Sequence, residues 1–287
     1  MAKYVPDISS HRWVILSSTR ANRPNNHQVK HTKDPFAQGN EDATSQEVLR
    51  IGEGGPAEPG WKVRVVSNKF PITDMHEVVV HSPDPKKNIE DLPVEQVDHI
   101  LEAYIQRSNH YHDTGQVMIF CNSGEHAGAS IKHPHSQIVV IPPQINPDSL
   151  NREPINNTVL ETKNFHAYCP DFSQWPYELW ITPFESESRF GDLDGTCRHE
   201  LACILKNMLQ RLHSIYKKEK FTSEFAYNYY ISPRQNWYLR IIPRFVHRAG
   251  FELGTGLSVN VIDPIDAALA YQGVESRYHE LVSHLKQ

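Results

Sequence analysis

Apolar, mostly β-branched residues crowd into short runs at 61–67, 77–80, 117–120 and 137–141, with Pro, Asn and Gly marking the ends. Such runs predict strands. Between the second and third the period changes. Val97, Ile100, Leu101, Tyr104 and Ile105 recur at helical spacing, with Pro93 just upstream, and predict an amphipathic helix. The same order then returns. Residues 165–169 and 178–182 read as strands, and a longer helix carries Leu201, Leu205, Met208, Leu209, Leu212 and Ile215 on one face. Residues 225–231 and 237–242 read as the closing strands. The runs 138–142 and 239–243 both end in Ile-Pro and set the register of the repeat.

The expected fold is therefore α+β, a duplicated unit of antiparallel sheet with helices packed on it. The halves are 1–150 and 151–287, joined by a polar, Asn- and Pro-rich stretch around 143–164. Residues 13–16 add a short strand. Residues 38–60, rich in Gly, Glu and Pro without a period, predict a mobile surface loop.

Composition narrows the function. A chain of 287 residues with 39% hydrophobic content can bury a sizeable core. A formal net charge of −5 gives no general attraction to nucleic acid or to a membrane surface, so any phosphate site must be locally basic. The 17 histidines make a metal site worth testing. The four cysteines never form C-x-x-C, which leaves no thiolate zinc cluster in view. Cys121, Cys169 and Cys203 have apolar or aromatic neighbours and read as reduced core thiols, as expected in the cytoplasm. The start of the chain does not read as a signal peptide, and no apolar run approaches a membrane span.

The densest chemistry lies at His133, Pro134, His135, Ser136 and Gln137, after a small-residue loop from Asn122 to Ser130 that includes Gly124 and Gly128. Backbone N–H groups of such a loop can wrap a phosphate. On an extended chain His133, His135 and Gln137 face one side and Ser136 the other. Pro134 cannot donate to a ladder, so the run should lie at a strand edge or entry. An imidazole can attack phosphorus through one ring nitrogen when the other is anchored on a carbonyl, which a His-x-His backbone can supply. Gln137 can hold a phosphoryl oxygen without moving a proton. The competing reading of His-x-His is a metal pair, needing a third ligand such as His76 or His81; their odd spacing sets them on opposite strand faces. A third reading is structural histidines. Near the start, Arg20 and Arg23 suit phosphate contacts, against a plain reading as solvated surface residues. Asn68 reads as a ribose or phosphate ligand, or as a turn former. In the repeat register His133, His135 and Gln137 fall opposite Arg234, Asn236 and Tyr238, so the second half lacks the nucleophile.

These residues resemble the galactose-1-phosphate uridylyltransferase family of the histidine-triad superfamily, which includes the ADP-glucose phosphorylases. Asn122 to Gln137 is similar to its signature N-x-G-x-x-x-G-x-S-x-x-H-P-H-x-Q at every fixed position. Residues 7–24, 66–71, 76–80, 175–178 and 249–256 resemble further family segments. The resemblance implies two histidine-triad-like halves and a ping-pong reaction with His135 as nucleophile. It implies that Gln137 and Ser130 contact the transferred phosphate, with His133 beside them. Arg20, Arg23, Asn68, Asn122, Gly124 and Gly128 would hold the nucleotide diphosphate. A segment like Phe251 to Gly256, with Phe251, Leu253 and Gly254, would complete the sugar pocket of a second subunit, implying a homodimer. The chain departs from the family at its metal ligands. The C-P-F-C-P-G-N-E segment reads Asp34, Pro35, Phe36, Ala37, Gln38, Gly39, Asn40, Glu41, and a further ligand histidine is replaced by Pro85. The second-half pattern H-W-H-I-E-x-x-P-R reads Asn236, Trp237, Tyr238, Leu239, Arg240, with Pro243 and Arg244. A protein without metal or other cofactor is expected.

The leading expectation is transfer of a nucleoside monophosphate from a nucleotide sugar, through His135, to a hexose 1-phosphate. The alternatives are ADP-glucose phosphorylase-type transfer to phosphate, a hydrolase of nucleotide conjugates, which Gln137 argues against, and an inactive nucleotide-sugar-binding protein.

Overall fold

The computed structural model describes residues 2–7, 12–18, 20, 34–145, 150–219, 221 and 223–274. Strands β1 (Lys3–Asp7) and β2 (Arg12–Leu16) form a separate hairpin. The first half then runs β3 (Glu47–Gly52), β4 (Trp61–Ser67), β5 (His76–Val80), α1 (Val94–Tyr111), β6 (Gln116–Ser123) and β7 (His135–Ile141). The second runs β8 (Thr158–Glu161), β9 (Phe165–Tyr168), β10 (Leu179–Pro183), α2 (Gly195–Lys218), β11 (Tyr227–Ile231) and β12 (Leu239–Pro243). Two short helices follow, α3 (Gly250–Thr255) and α4 (Pro264–Gln272).

Strands β3 to β12 make one antiparallel sheet in the order β3-β4-β5-β7-β6-β11-β12-β10-β9-β8. Read from its two edges inward, the order is the same in each half, so the expected duplication is present. The halves meet at β6 and β11, where Cys121 pairs with Tyr229. Helices α1 and α2 pack against each other and share one apolar core with the sheet, including Ile100, Leu101, Leu205, Met208 and Leu209. Burying each such side chain stabilises by about 1.5–3 kcal/mol. Asp194 caps α2 by accepting from the Cys197 N–H at 2.7 Å.

Polar groups fix α1 over the strands that matter for the site. Arg107 donates to both oxygens of Glu77 on β5 at 2.8 and 2.6 Å. Tyr104 donates to Ser136 Oγ at 2.6 Å and is bonded to Tyr229 at 2.7 Å. Ser136 thus points to the helix side of β7.

Three expectations are corrected. Residues 38–60 are not a loop throughout: β3 pairs with β4, with irregular register between Glu47 and Leu49 and between Ile51 and Gly52. Those shifts break the alternation that would have marked a strand. Glu47 ties it to Arg64 at 2.6 Å. The polar stretch joining the halves contains β8, an edge strand on β9. Cys203, read as a core residue, is exposed on α2, whereas Cys121 and Cys169 are buried. Among the described residues no helix is long and apolar enough to cross a membrane.

Candidate active site

Strand β7 lies between β5 and β6, deep in the first half. Pro134 sits at its entry, where a missing N–H costs no ladder bond, and its carbonyl accepts from His81 N at 3.1 Å. His135 and Gln137 then face the side of the sheet away from the helices. Both line a cavity of about 290 Å³ with Arg20, Phe36, Asn68, Val78 and Ser130. His135 also lines a second cavity of about 200 Å³ with Asn88, Asn122, Gly124, Lys132 and His133. It stands between the two chambers. A larger cleft of about 890 Å³ between α2 and α4 has no histidine or cysteine in its lining, and its chemistry does not match.

The ring of His135 is oriented by its own backbone. Its Nδ1 donates to the His133 carbonyl at 2.8 Å, which leaves the lone pair on Nε2. Phe36 packs on it at 5.4 Å between ring centroids. Cys121 donates from behind to the His135 carbonyl at 3.4 Å. Burial pushes the Cys121 thiol up to about 12, so it stays neutral.

Gln137 is held by a residue that sequence reasoning weighed only as a metal ligand. The N–H of Ile72 donates to His76 Nδ1 at 2.9 Å, which places the ring proton on Nε2. That proton faces Gln137 Oε1 at 3.0 Å. With its carbonyl so engaged, Gln137 turns its NH2 group toward the cavity as a donor. The signal was not visible along the chain because the contact spans 61 residues and depends on β5 pairing with β7. His81, on the opposite face, lies near Tyr104 and is lowered to about 3 by burial and by His135 and His133, so it is neutral.

The loop before β7 has the conformations its glycines permit. Gly124 has φ +87°, and a Cβ there would meet Ala226 Cβ at 2.7 Å. Gly128 ends a 3-10 turn at φ +84°. Asn228 of β11 donates to Asn122 Oδ1 and to the Ala127 carbonyl at 2.8 and 2.9 Å, so the second half braces the loop. Arg23 lies outside the described residues. Phe251, Leu253 and Gly254 sit on α3; Phe251 and Leu253 are 55% and 76% exposed, and none of the three lines either chamber of this chain.

The residues present do not fit a metal. Both ring nitrogens of His133 face oxygen acceptors: Nδ1 meets Asp34 Oδ2 at 2.8 Å and Nε2 meets the Ser82 carbonyl at 2.8 Å. An ion at either nitrogen would have to displace the oxygen already facing it. In the second half Glu178 accepts from Arg240 Nε and Nη2 at 2.7 and 2.9 Å. Among the described residues no group of three or more His, Cys, Asp or Glu is arranged to hold an ion.

Residues 71–141 match the family model for the galactose-1-phosphate uridyl transferase N-terminal domain. An ADP-glucose phosphorylase from Arabidopsis thaliana is 28% identical over 91% of this chain and 90% of its own length. A galactose-1-phosphate uridylyltransferase from Thermotoga maritima is 25% identical over 72% of this chain and 74% of its own. The crystal structure of an Arabidopsis thaliana ADP-glucose phosphorylase with bound ADP-glucose aligns at a TM-score of 0.71, with 27% identity over 96% of this chain and 100% of that one. A uridylyltransferase structure, at 20% identity and a TM-score of 0.75 over 95% of this chain and 98% of that one, shares the fold. The chain thus shares the galactose-1-phosphate uridylyltransferase-like fold, residues 71–141 are similar to that family's N-terminal domain, and its homologues include ADP-glucose phosphorylase.

Proposed function

We propose that this protein transfers a nucleoside monophosphate from a nucleotide sugar to a phosphate-bearing acceptor through a covalent intermediate on His135. The observation that carries this reading is an imidazole between two chambers with its Nδ1–H committed to a carbonyl. In the first step Nε2 attacks the phosphorus next to the nucleoside. The N–P bond forms, the bond to the bridging oxygen breaks, and sugar 1-phosphate leaves with the electron pair. In the second an acceptor phosphate oxygen attacks, and the N–P bond breaks back to Nε2. Gln137 donates its NH2 to a non-bridging oxygen in both transition states. Having no proton to exchange, it does not activate water.

The chamber with Phe36, Val66 and Asn68 suits the nucleoside. Arg20 in its wall, with Arg23 and Ser130, supplies contacts for the diphosphate. The chamber with Asn122, Gly124 and Lys132 suits the departing or incoming phosphate, with Gly128 shaping the loop beside it. The long resemblance to an ADP-glucose phosphorylase favours inorganic phosphate over a hexose 1-phosphate as acceptor. The exposed Phe251 and Leu253, with Gly254, are proposed to reach the chamber of a second copy in a homodimer. Partly exposed Cys197 and exposed Cys203 suit a reducing, cytoplasmic setting.

The test is incubation with ADP-glucose or UDP-glucose radiolabelled at the phosphate next to the nucleoside. An acid-labile, base-stable label on the chain, absent in His135→Asn and discharged by phosphate or hexose 1-phosphate, is the expected result. Binding without label would identify an inactive nucleotide-sugar-binding protein. Steady release of nucleoside monophosphate to water alone would identify a hydrolase.

A further inference from the structure

The ring of His133 is fully buried, yet it belongs to neither the nucleophile nor the phosphate contacts. It is held at both ends. Asp34 Oδ2 takes Nδ1 and the Ser82 carbonyl takes Nε2, each at 2.8 Å. Its own carbonyl is the oxygen on which His135 Nδ1 is anchored. Asp34 is tied in turn to the segment that follows it. Its Oδ1 accepts from Phe36 N at 3.0 Å, and its carbonyl accepts from Asn40 Nδ2 at 2.8 Å. Phe36 then packs on both histidines, at 6.0 Å from His133 and 5.4 Å from His135. One carboxylate therefore joins the wall of the nucleoside chamber to the carbonyl that sets the tautomer of the attacking ring.

We propose that Asp34 is a positioning residue: through His133 it fixes the carbonyl that keeps Nδ1 of His135 protonated and Nε2 ready to attack, and this hydrogen-bonded clasp stands where the resembling family uses a metal. The geometry explains why a carboxylate serves at a position where a thiolate is absent. An Nδ1–H needs an acceptor at about 2.8 Å, and Asp34 reaches it while its other oxygen holds the Phe36 turn. Without it, the His133 ring would lose its buried partner and could turn, shifting the backbone on which His135 depends. The catalytic part of this inference rests on the proposed transfer through His135; the tautomer part does not.

The experiment reads two quantities on the full chain. One is the single-turnover rate of His135 labelling from nucleotide sugar, with affinity for the free nucleoside monophosphate measured alongside. The other is the His135 tautomer, read from two-bond proton–nitrogen correlations in protein carrying nitrogen-15 histidine. Asp34→Ala is expected to slow labelling at least tenfold, leave nucleotide affinity within threefold, and convert a single Nδ1–H tautomer into a mixture. Asp34→Asn keeps an acceptor for Phe36 N but turns an NH2 group toward His133 Nδ1, so a rate between those of Asp34→Ala and the wild type is expected. If Asp34→Ala does not fold, Asp34→Glu takes its place, since it keeps the charge but moves it by one methylene; a partial loss of rate and a mixed tautomer are then expected. Chelator treatment should change neither readout. The proposal is overturned if Asp34→Ala, or Asp34→Glu in its place, keeps the wild-type tautomer and rate, or if chelation disturbs the tautomer and zinc restores it. If the wild type never labels while Asp34→Ala still mixes the tautomers, the clasp stands and the transfer reading falls.

Discussion

On β7, His135 and Gln137 face a cavity; at the start of β12, Tyr238, just before the strand, and Arg240 face packed side chains. In the register that aligns the two Ile-Pro ends, Trp180 takes the place of His76 and Tyr238 that of Gln137. Those two rings stack at 4.1 Å, and Arg240 is buried against Glu178. The same strand order therefore yields an open, hydrogen-bonding face in one half and a closed one in the other. A sheet topology supplies places for side chains, and side-chain volume decides whether a place becomes a chamber. The filled half still serves the open one. Asn228 of β11 braces the loop of Asn122, and Tyr227 donates to Glu90 Oε2 at 2.9 Å beside the second chamber.

If the second half is scaffold, damage there should cost stability, and damage in the first half should cost chemistry. Glu178→Ala strands the Arg240 charge in the interior and should lower unfolding free energy by about 3–5 kcal/mol. His135→Asn should change stability by under about 1 kcal/mol while removing the label. Chemical denaturation of both variants checks the contrast, and equal losses would break it.

The seam between the halves carries a pH dependence. Burial raises the Glu90 carboxyl from 4.5 to about 7. The folded state therefore binds a proton that the unfolded state releases. This contribution is complete below about pH 4.5 and is lost as pH rises through 7. The shift corresponds to roughly 3 kcal/mol. Melting temperature followed from pH 5 to 8 should fall more steeply in the wild type than in Glu90→Gln; parallel curves would assign the slope elsewhere.

A smaller effect is expected for His76→Ala. Gln137 then loses the N–H that fixes its carbonyl, and its amide can turn the wrong way. Labelling of His135 should slow by about tenfold to a hundredfold, roughly 1.4–2.7 kcal/mol in the barrier, with nucleotide affinity less affected. An unchanged rate would show that Gln137 orients itself.

The smallest effect tests the comparison directly. Combining Asn236→His with Tyr238→Gln restores the first half's residue types at the matching positions of the second. The loss of the Trp180 stack should cost about 0.5–1.5 kcal/mol, and labelling should stay at His135 alone, because Arg240, Glu178 and Trp180 still occupy the face. Any second labelled site would refute the filled-face explanation.

The repeat, the two helices and the run from His133 to Gln137 were legible in the sequence because each is a local signal. Hydrophobic period, glycine placement and the two-residue alternation of a strand depend only on neighbours along the chain. Strand β3 escaped notice because its register shifts break alternation, and Cys203 because apolar neighbours in sequence need not be neighbours on a helix face. The contacts of Asp34 and His76 were decided only by tertiary structure. Asp34 reaches His133 across 99 residues, and His76 reaches Gln137 across 61. A hydrogen bond demands placement to a few tenths of an ångström, and no spacing along the chain encodes that when the partners meet through strand pairing and packing.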